Sequence, residues 1–266
     1  MRKRTRILCL LVTALIVFAL FPLQASSATD YEQVFEKLTK ADVKKYDKPL
    51  PKGGKEVSEE QIYGELANIR YKMPGKGKVF IEYSLWIHSK GKRIVEANKE
   101  KYWSKGSGEN YSYYRESVSL YIPKFTIYSL YKENAGKWSY YSWYKGSKTG
   151  YCDTGDMTYE PGDMISEPDD MISEPTEPSS NTCDYKRYND AYVLGQKCFV
   201  YSYKFNDDQY GDFTEYVYVS RKTGVTLKTV SASIRETHTN ISFVTKYGSK
   251  AAKFFKPPAN VKFYNY

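Results

Sequence analysis

Histidine and cysteine are scarce, at two and four residues in a chain of 266. The two imidazoles, His88 and His238, lie far apart in sequence, and none of the cysteines shows CxxC spacing. Zinc sites are built from these residue types at short spacings, so neither a metal nor a cofactor is expected. Also missing are a Gly-x-Ser-x-Gly elbow, a Walker loop, a His-Glu-x-x-His helix and a calcium loop. No motif assembles a nucleophile, a base and oxyanion donors, so the chain does not read as an enzyme. Beyond one N-terminal run there is no long apolar stretch, and a mean hydropathy of −0.63 excludes a polytopic membrane protein. Disorder is excluded by the opposite feature. Apolar residues make up 41% and aromatics 17%, with 28 tyrosines.

Residues 1–28 read as an export signal. Arg2, Lys3, Arg4 and Arg6 form a positive start, Ile7 to Phe21 an apolar run, and Ser26 and Ala28 the small residues before a cleavage site. The run is shorter than the ~20 residues a spanning helix needs, and Pro22 interrupts it. The product is expected in the periplasm, the extracellular space or the cell envelope. Cys152, Cys183 and Cys198 remain beyond the leader. An oxidising compartment allows one disulfide among them, and spacing does not choose the pair.

The formal charge of +9 is a sum of unlike parts. Four basic residues belong to the leader. Residues 153–178 hold nine acids and no base, seven of them in the heptads GDMTYEP, GDMISEP and DDMISEP. The remaining body therefore carries +14. Proline in every heptad removes a backbone donor and rules out a coiled coil, so 153–182 reads as a disordered acidic insert.

Two helices open the body. Tyr31, Val34, Phe35 and Leu38 fall on one helical face, with Asp30 as cap. Ser58 to Gln61 has capping-box spacing and leads into Ile62, Leu66 and Ile69. From residue 78 the period changes to two. Val79, Ile81, Tyr83, Leu85 and Ile87 alternate with Phe80, Glu82, Ser84, Trp86 and His88. Strand-like segments then recur to about residue 247, with Glu236 to Asn240 read as a polar turn and His238 within it. The pattern predicts an α+β protein, mostly antiparallel, as one large curved sheet or unclosed barrel covered by the N-terminal helices. Adjacent tyrosines such as Tyr113-Tyr114 and Tyr140-Tyr141 place aromatic rings on both faces of it.

Three segments carry a resemblance. They are Lys101-Tyr-Trp-Ser-Lys-Gly106 with the strand ending at Arg115, then Val193 to Tyr201 running on to Tyr216 to Leu227, and Phe254-Phe-Lys-Pro-Pro258. Together they resemble the periplasmic lipoprotein carriers and lipoprotein-sorting proteins of LolA/LolB-like fold, over about residues 60–266 without the insert. The resemblance implies a single domain over 29–266 that holds acyl chains in a half-barrel cavity without catalysis. Val79, Ile81, Tyr83, Leu85, Ile87, Val217 and Val219 would line that cavity, and Ile62, Leu66 and Ile69 would form its lid. The expected partner is a lipid or lipoprotein at a membrane surface or envelope, with no nucleic acid, and the carrier a monomer. The alternative expectation is a module for envelope polysaccharide or anionic polymer, held by aromatic faces and basic charge.

Overall fold

The computed structural model describes residues 30–47, 49–107, 110–156, 184–207, 211–250 and 252–265. The expected leader, Cys183 and the acidic repeat from residue 157 onward lie outside the described residues. Three helices precede most of the sheet: α1 (Tyr31–Glu36), α2 (Val43–Tyr46) and α3 (Glu59–Ala67). Asp30 caps α1 by accepting from the Gln33 amide at 3.2 Å. Ser58 and Gln61 close the capping box of α3 reciprocally, at 3.3 and 3.0 Å. No helix among the described residues is long and apolar enough to cross a membrane.

The strands are β1 (Lys55–Val57), β2 (Val79–Lys90), β3 (Arg93–Lys105), β4 (Ser112–Ser119), β5 (Thr126–Asn134), β6 (Lys137–Tyr144) and β7 (Thr149–Asp156). They continue as β8 (Tyr185–Val193), β9 (Gln196–Asp207), β10 (Gly211–Ser220), β11 (Thr226–Ala232), β12 (Glu236–Gly248) and β13 (Lys262–Tyr264). All belong to one sheet, ordered β1-β8-β9-β10-β11-β12-β2-β3-β4-β5-β6-β7-β13. Two antiparallel meanders, β2 to β7 and β8 to β12, are therefore joined along the β12–β2 seam. The edges β1 and β13 are not paired with each other, so the sheet is an unclosed barrel. Only β13 runs parallel to its neighbour. It reaches β7 because Gly150 leaves room there: a Cβ on Gly150 would stand 2.7 Å from the Phe263 ring. Strand β7 runs on through Asp156, so the first residues of the expected insert pair with β6.

Register decides which residues share a face, because directly opposed residues of an antiparallel pair point the same way. Leu85 opposes Ile241, which opposes Lys228, and the row continues through Tyr218, Val200 and Tyr188. Apart from Lys228, these residues form the main apolar cluster with Phe35 of α1 and Val43 of α2. We refer to this side as the α1 face. A bulge after Ser242 adds Phe243 to it, where the ring meets Phe35 at 5.8 Å and Tyr46 at 5.1 Å. Helix α3 covers the opposite face over β9 and β10, where Ile62 packs with Phe199, Val217 and Val219.

Candidate functional site

The five alternating β2 residues come together as expected of one strand face. Val79, Ile81, Tyr83, Leu85 and Ile87 are each 8% exposed or less. They are not an open trough, because α1 lies on them. Phe35 is fully buried, with its ring 5.4 Å from that of Tyr83. Val217 and Val219 stand elsewhere. They point to the opposite face, and Ile62, Leu66 and Ile69 pack there with them. The physical reason is parity. Tyr218 shares the row of Leu85, so its neighbours at 217 and 219 must face away. The ten residues thus divide into two sites on two faces.

Charge around α1 is arranged with equal consistency. The sequence Ala97-x-Lys99-x-Lys101-x-Trp103 in β3 puts two lysines on the α1 face between apolar residues. The Lys99 ammonium donates to the Glu36 carbonyl at 2.7 Å, and Lys101 pairs with the Glu36 carboxylate. Lys246 of β12 holds Glu32 at 2.9 Å. Lys99 also lies 5.0 Å from the Phe35 ring centre, and Lys101 5.4 Å from that of Tyr83. Burial pushes the Tyr83 hydroxyl up to about 12, helped by the nearby carboxylates of Glu32 and Glu36. Burial lowers the affinity of Lys99 for its proton. The N-terminal end of α1 is tied down separately, where the Tyr31 hydroxyl donates to the Leu194 carbonyl. Sequence reasoning gave the body a charge of +14 but assigned none of these lysines to a site. The period-two run through Lys99, Lys101 and Trp103 was the signal available.

Beside α1 a cleft of about 470 Å³ opens. Tyr31, Val225, Leu227, Phe243 and Val244 supply its apolar wall, and Glu32 and Lys246 stand among its polar lining. The size falls within the range of small-molecule sites. Its apolar wall is continuous with the buried cluster beneath α1.

The two described cysteines supply no reactive centre. Cys152 and Cys198 are free thiols, and eight strands separate β7 from β9 in the sheet order. Burial pushes the Cys198 thiol up to about 11, which leaves it a small apolar residue at neutral pH. One group of described residues could hold a metal ion: His88, Glu236 and His238, on the face away from α1. That face also carries a run of tyrosines across neighbouring strands. Tyr102 and Tyr113 lie 5.5 Å apart by ring centre, and Tyr113 and Tyr131 stack at 5.5 Å.

No family model matches the chain, and no curated protein matches it. Among solved structures, a β-barrel-like domain of unknown function from Brucella abortus is 10% identical, with a TM-score of 0.34. That match covers 68% of this chain and 100% of the other. A putative outer-membrane lipoprotein-sorting domain from Vibrio parahaemolyticus is 12% identical, at a TM-score of 0.27, covering 73% and 94% of the two chains. A LolA-superfamily protein from Nitrosomonas europaea is 10% identical, at a TM-score of 0.29, covering 76% and 98%.

Proposed function

We propose that the chain is an exported, non-catalytic carrier that binds the acyl part of a lipid or lipoprotein on its α1 face, entering through the cleft beside α1. The observation that carries this reading is the chemistry of α1 itself. The helix presents one buried ring, Phe35, to an apolar bed, two carboxylates, Glu36 and Glu32, to Lys101 and Lys246, and its last carbonyl to Lys99. An anionic lipid has the same two parts, an apolar tail and a negative head. A helix of six residues has little stability of its own, so its position depends on these contacts. Displacing it would expose the β2 residues and release Lys99, Lys101 and Lys246 for a head group. Each methylene then buried is worth about 0.8 kcal/mol.

Displacement of a fluorescent fatty acid tests the idea. Replacing Glu32 and Glu36 together with Gln weakens the hold of α1 and leaves Lys246 and Lys101 without their carboxylates. Affinity should rise about threefold to tenfold, the worth of two partly exposed ion pairs. Lys101→Glu should lower it. Absence of saturable binding by the wild type and by the double variant would end the proposal.

The tyrosines of the opposite face support a second reading, an envelope-glycan module, since half-buried rings on a sheet stack on sugars. Pull-down on purified cell wall separates the two readings. Retention that is lost on truncating Tyr113 and Tyr131 to Ala, with fatty-acid binding absent, would favour the glycan.

A further inference from the structure

The two histidines of the chain, distant in sequence, oppose each other directly across the β12–β2 seam. Their rings stack at 4.4 Å with only 15° between planes. Glu236, two residues before His238 on the same strand face, spans both. His88 Nε2 lies 3.0 Å from one carboxylate oxygen and His238 Nε2 lies 3.5 Å from the other. One ligand atom from each of the three residues lies within 4.8 Å of the others. The side chains of His88, Glu236 and His238 are 15%, 35% and 38% exposed, so the group is half-sheltered yet open to solvent. Trp86 screens it on one side, its ring centre 5.7 Å from that of His238.

We propose that His88, His238 and Glu236 form a binding site for a divalent transition-metal ion such as zinc. Two imidazoles and a carboxylate are the donor set that suits zinc, copper or nickel rather than calcium or magnesium. Ligands at ~2.0–2.2 Å from zinc stand about 3.3 Å apart in tetrahedral geometry. The ligand atoms, now within 4.8 Å of one another, need approach by no more than about 1.5 Å to reach that distance. The ion would replace the present contacts of Glu236 and the imidazoles, and the open side would leave a coordination position for water or another donor. Lys90, 3.6 Å from Glu236, would have to yield. A bound ion would cross-link the seam that joins the two meanders.

The test uses the untagged full chain, freed of metal and titrated with Zn(II) by calorimetry in excess Mg(II), which occupies carboxylates elsewhere. One site per chain is expected. His88→Ala, His238→Ala and Glu236→Gln should each weaken binding at least about tenfold, the least that disturbing a metal site through its supporting partners costs. The wild type gives a readout that no variant's folding can obscure. With only two histidines, both imidazole proton signals should shift in NMR on adding one equivalent of Zn(II). Co(II) should give a spectrum without sulfur-to-metal charge transfer. Unmoved imidazole signals, a thiolate band, or equal affinity in the His88→Ala/His238→Ala double variant would overturn the proposal.

Discussion

Strand β2 turns Leu85 toward α1 and the next residue, Trp86, to the opposite face, and the two sides use different chemistry. On the α1 face the alternating residues are apolar, continuous with a cluster drawn from β2, β3 and β8 to β12, and capped by Phe35. On the other face the same strand offers Glu82, Ser84, Trp86 and His88 to polar and aromatic partners. The Ser242 hydroxyl donates to Glu82, Trp86 lies against His238, and His88 meets Glu236. The first side derives its stability from area removed from water. The second depends on particular pairs, each of which can be lost alone. The lesson is that one alternating segment specifies a packed core and, one residue out of step, a set of addressable sites.

Truncation should expose this difference most strongly. Leu85→Ala leaves a cavity where exposure is 0% and should cost about 2–5 kcal/mol. At roughly 2–4 °C per kcal/mol for a chain of this size, the melting temperature falls by several degrees or more. His88→Ala, on the solvent-open side, should move it by no more than about 1 kcal/mol in metal-free buffer. Urea denaturation of both variants checks the pair. Equal losses would mean that the two faces are not energetically distinct.

An intermediate effect is expected where α3 covers the outer face. Asp190 accepts from Arg187 at 2.6 Å and from Arg221 at 2.6 and 2.9 Å. Both guanidinium groups lie over the buried Phe199 ring, at 4.1 and 5.4 Å, and Glu65 of α3 approaches both at 3.5 and 3.6 Å. Arg221, with Arg187, holds the Asp190 carboxyl down at about 2, against an ordinary 3.8. A depressed carboxylate stabilises the fold above its unfolded pKa and loses that contribution as pH falls through the folded one. Asp190→Asn should therefore cost about 1–2 kcal/mol at pH 7, discounted for the solvent that screens Arg221. The gap from wild type should close between pH 4 and pH 2. A gap that persists at pH 2 would assign the loss to shape rather than charge.

The same contrast explains what could be read from the chain. The α1 face was legible because Val79 to Ile87 alternate without interruption, and the caps Asp30 and Ser58 mark their helices unambiguously. Its opposite was less so. Glu236-Thr-His-Thr-Asn240 is polar throughout and reads as a turn, yet it starts β12, since threonine suits a strand and the residues need no burial there. Misplacing it hides the meeting of His88 and His238, which depends on register between strands almost 150 residues apart. The division of Val217 from Leu85 is a parity carried through β12 and β11, and a bulge at Tyr218/Val219 lies on that path. Periodicity within a strand is local information, whereas the face it joins is not. Strand β7 is hard to read from the sequence for a related reason. Gly150 and Gly155 in β7 are poor strand residues, tolerated because the rings of Phe263 and Trp138 occupy the space beside them.

The smallest expected effect has the opposite pH sign from Asp190 and lies on the uncovered part of the outer face. Burial raises the pKa of Glu82, more than the hydrogen bond from Ser242 lowers it, and Glu100 adds repulsion. A raised carboxyl favours the folded state while protonated and disfavours it once ionised, so this contribution declines as pH rises above the ordinary 4.5. Glu82→Gln keeps an acceptor for Ser242 and removes the charge. It should stabilise the protein by no more than about 1 kcal/mol at pH 8, with the gain vanishing near pH 4. Two outer-face carboxylates would then titrate in opposite directions for one reason. Asp190 has guanidinium partners to compensate its burial, and Glu82 has only a hydroxyl. A Glu82→Gln variant less stable than wild type at pH 8 would show that Ser242 stabilises the ionised carboxylate fully, and the distinction between the two sites would fail.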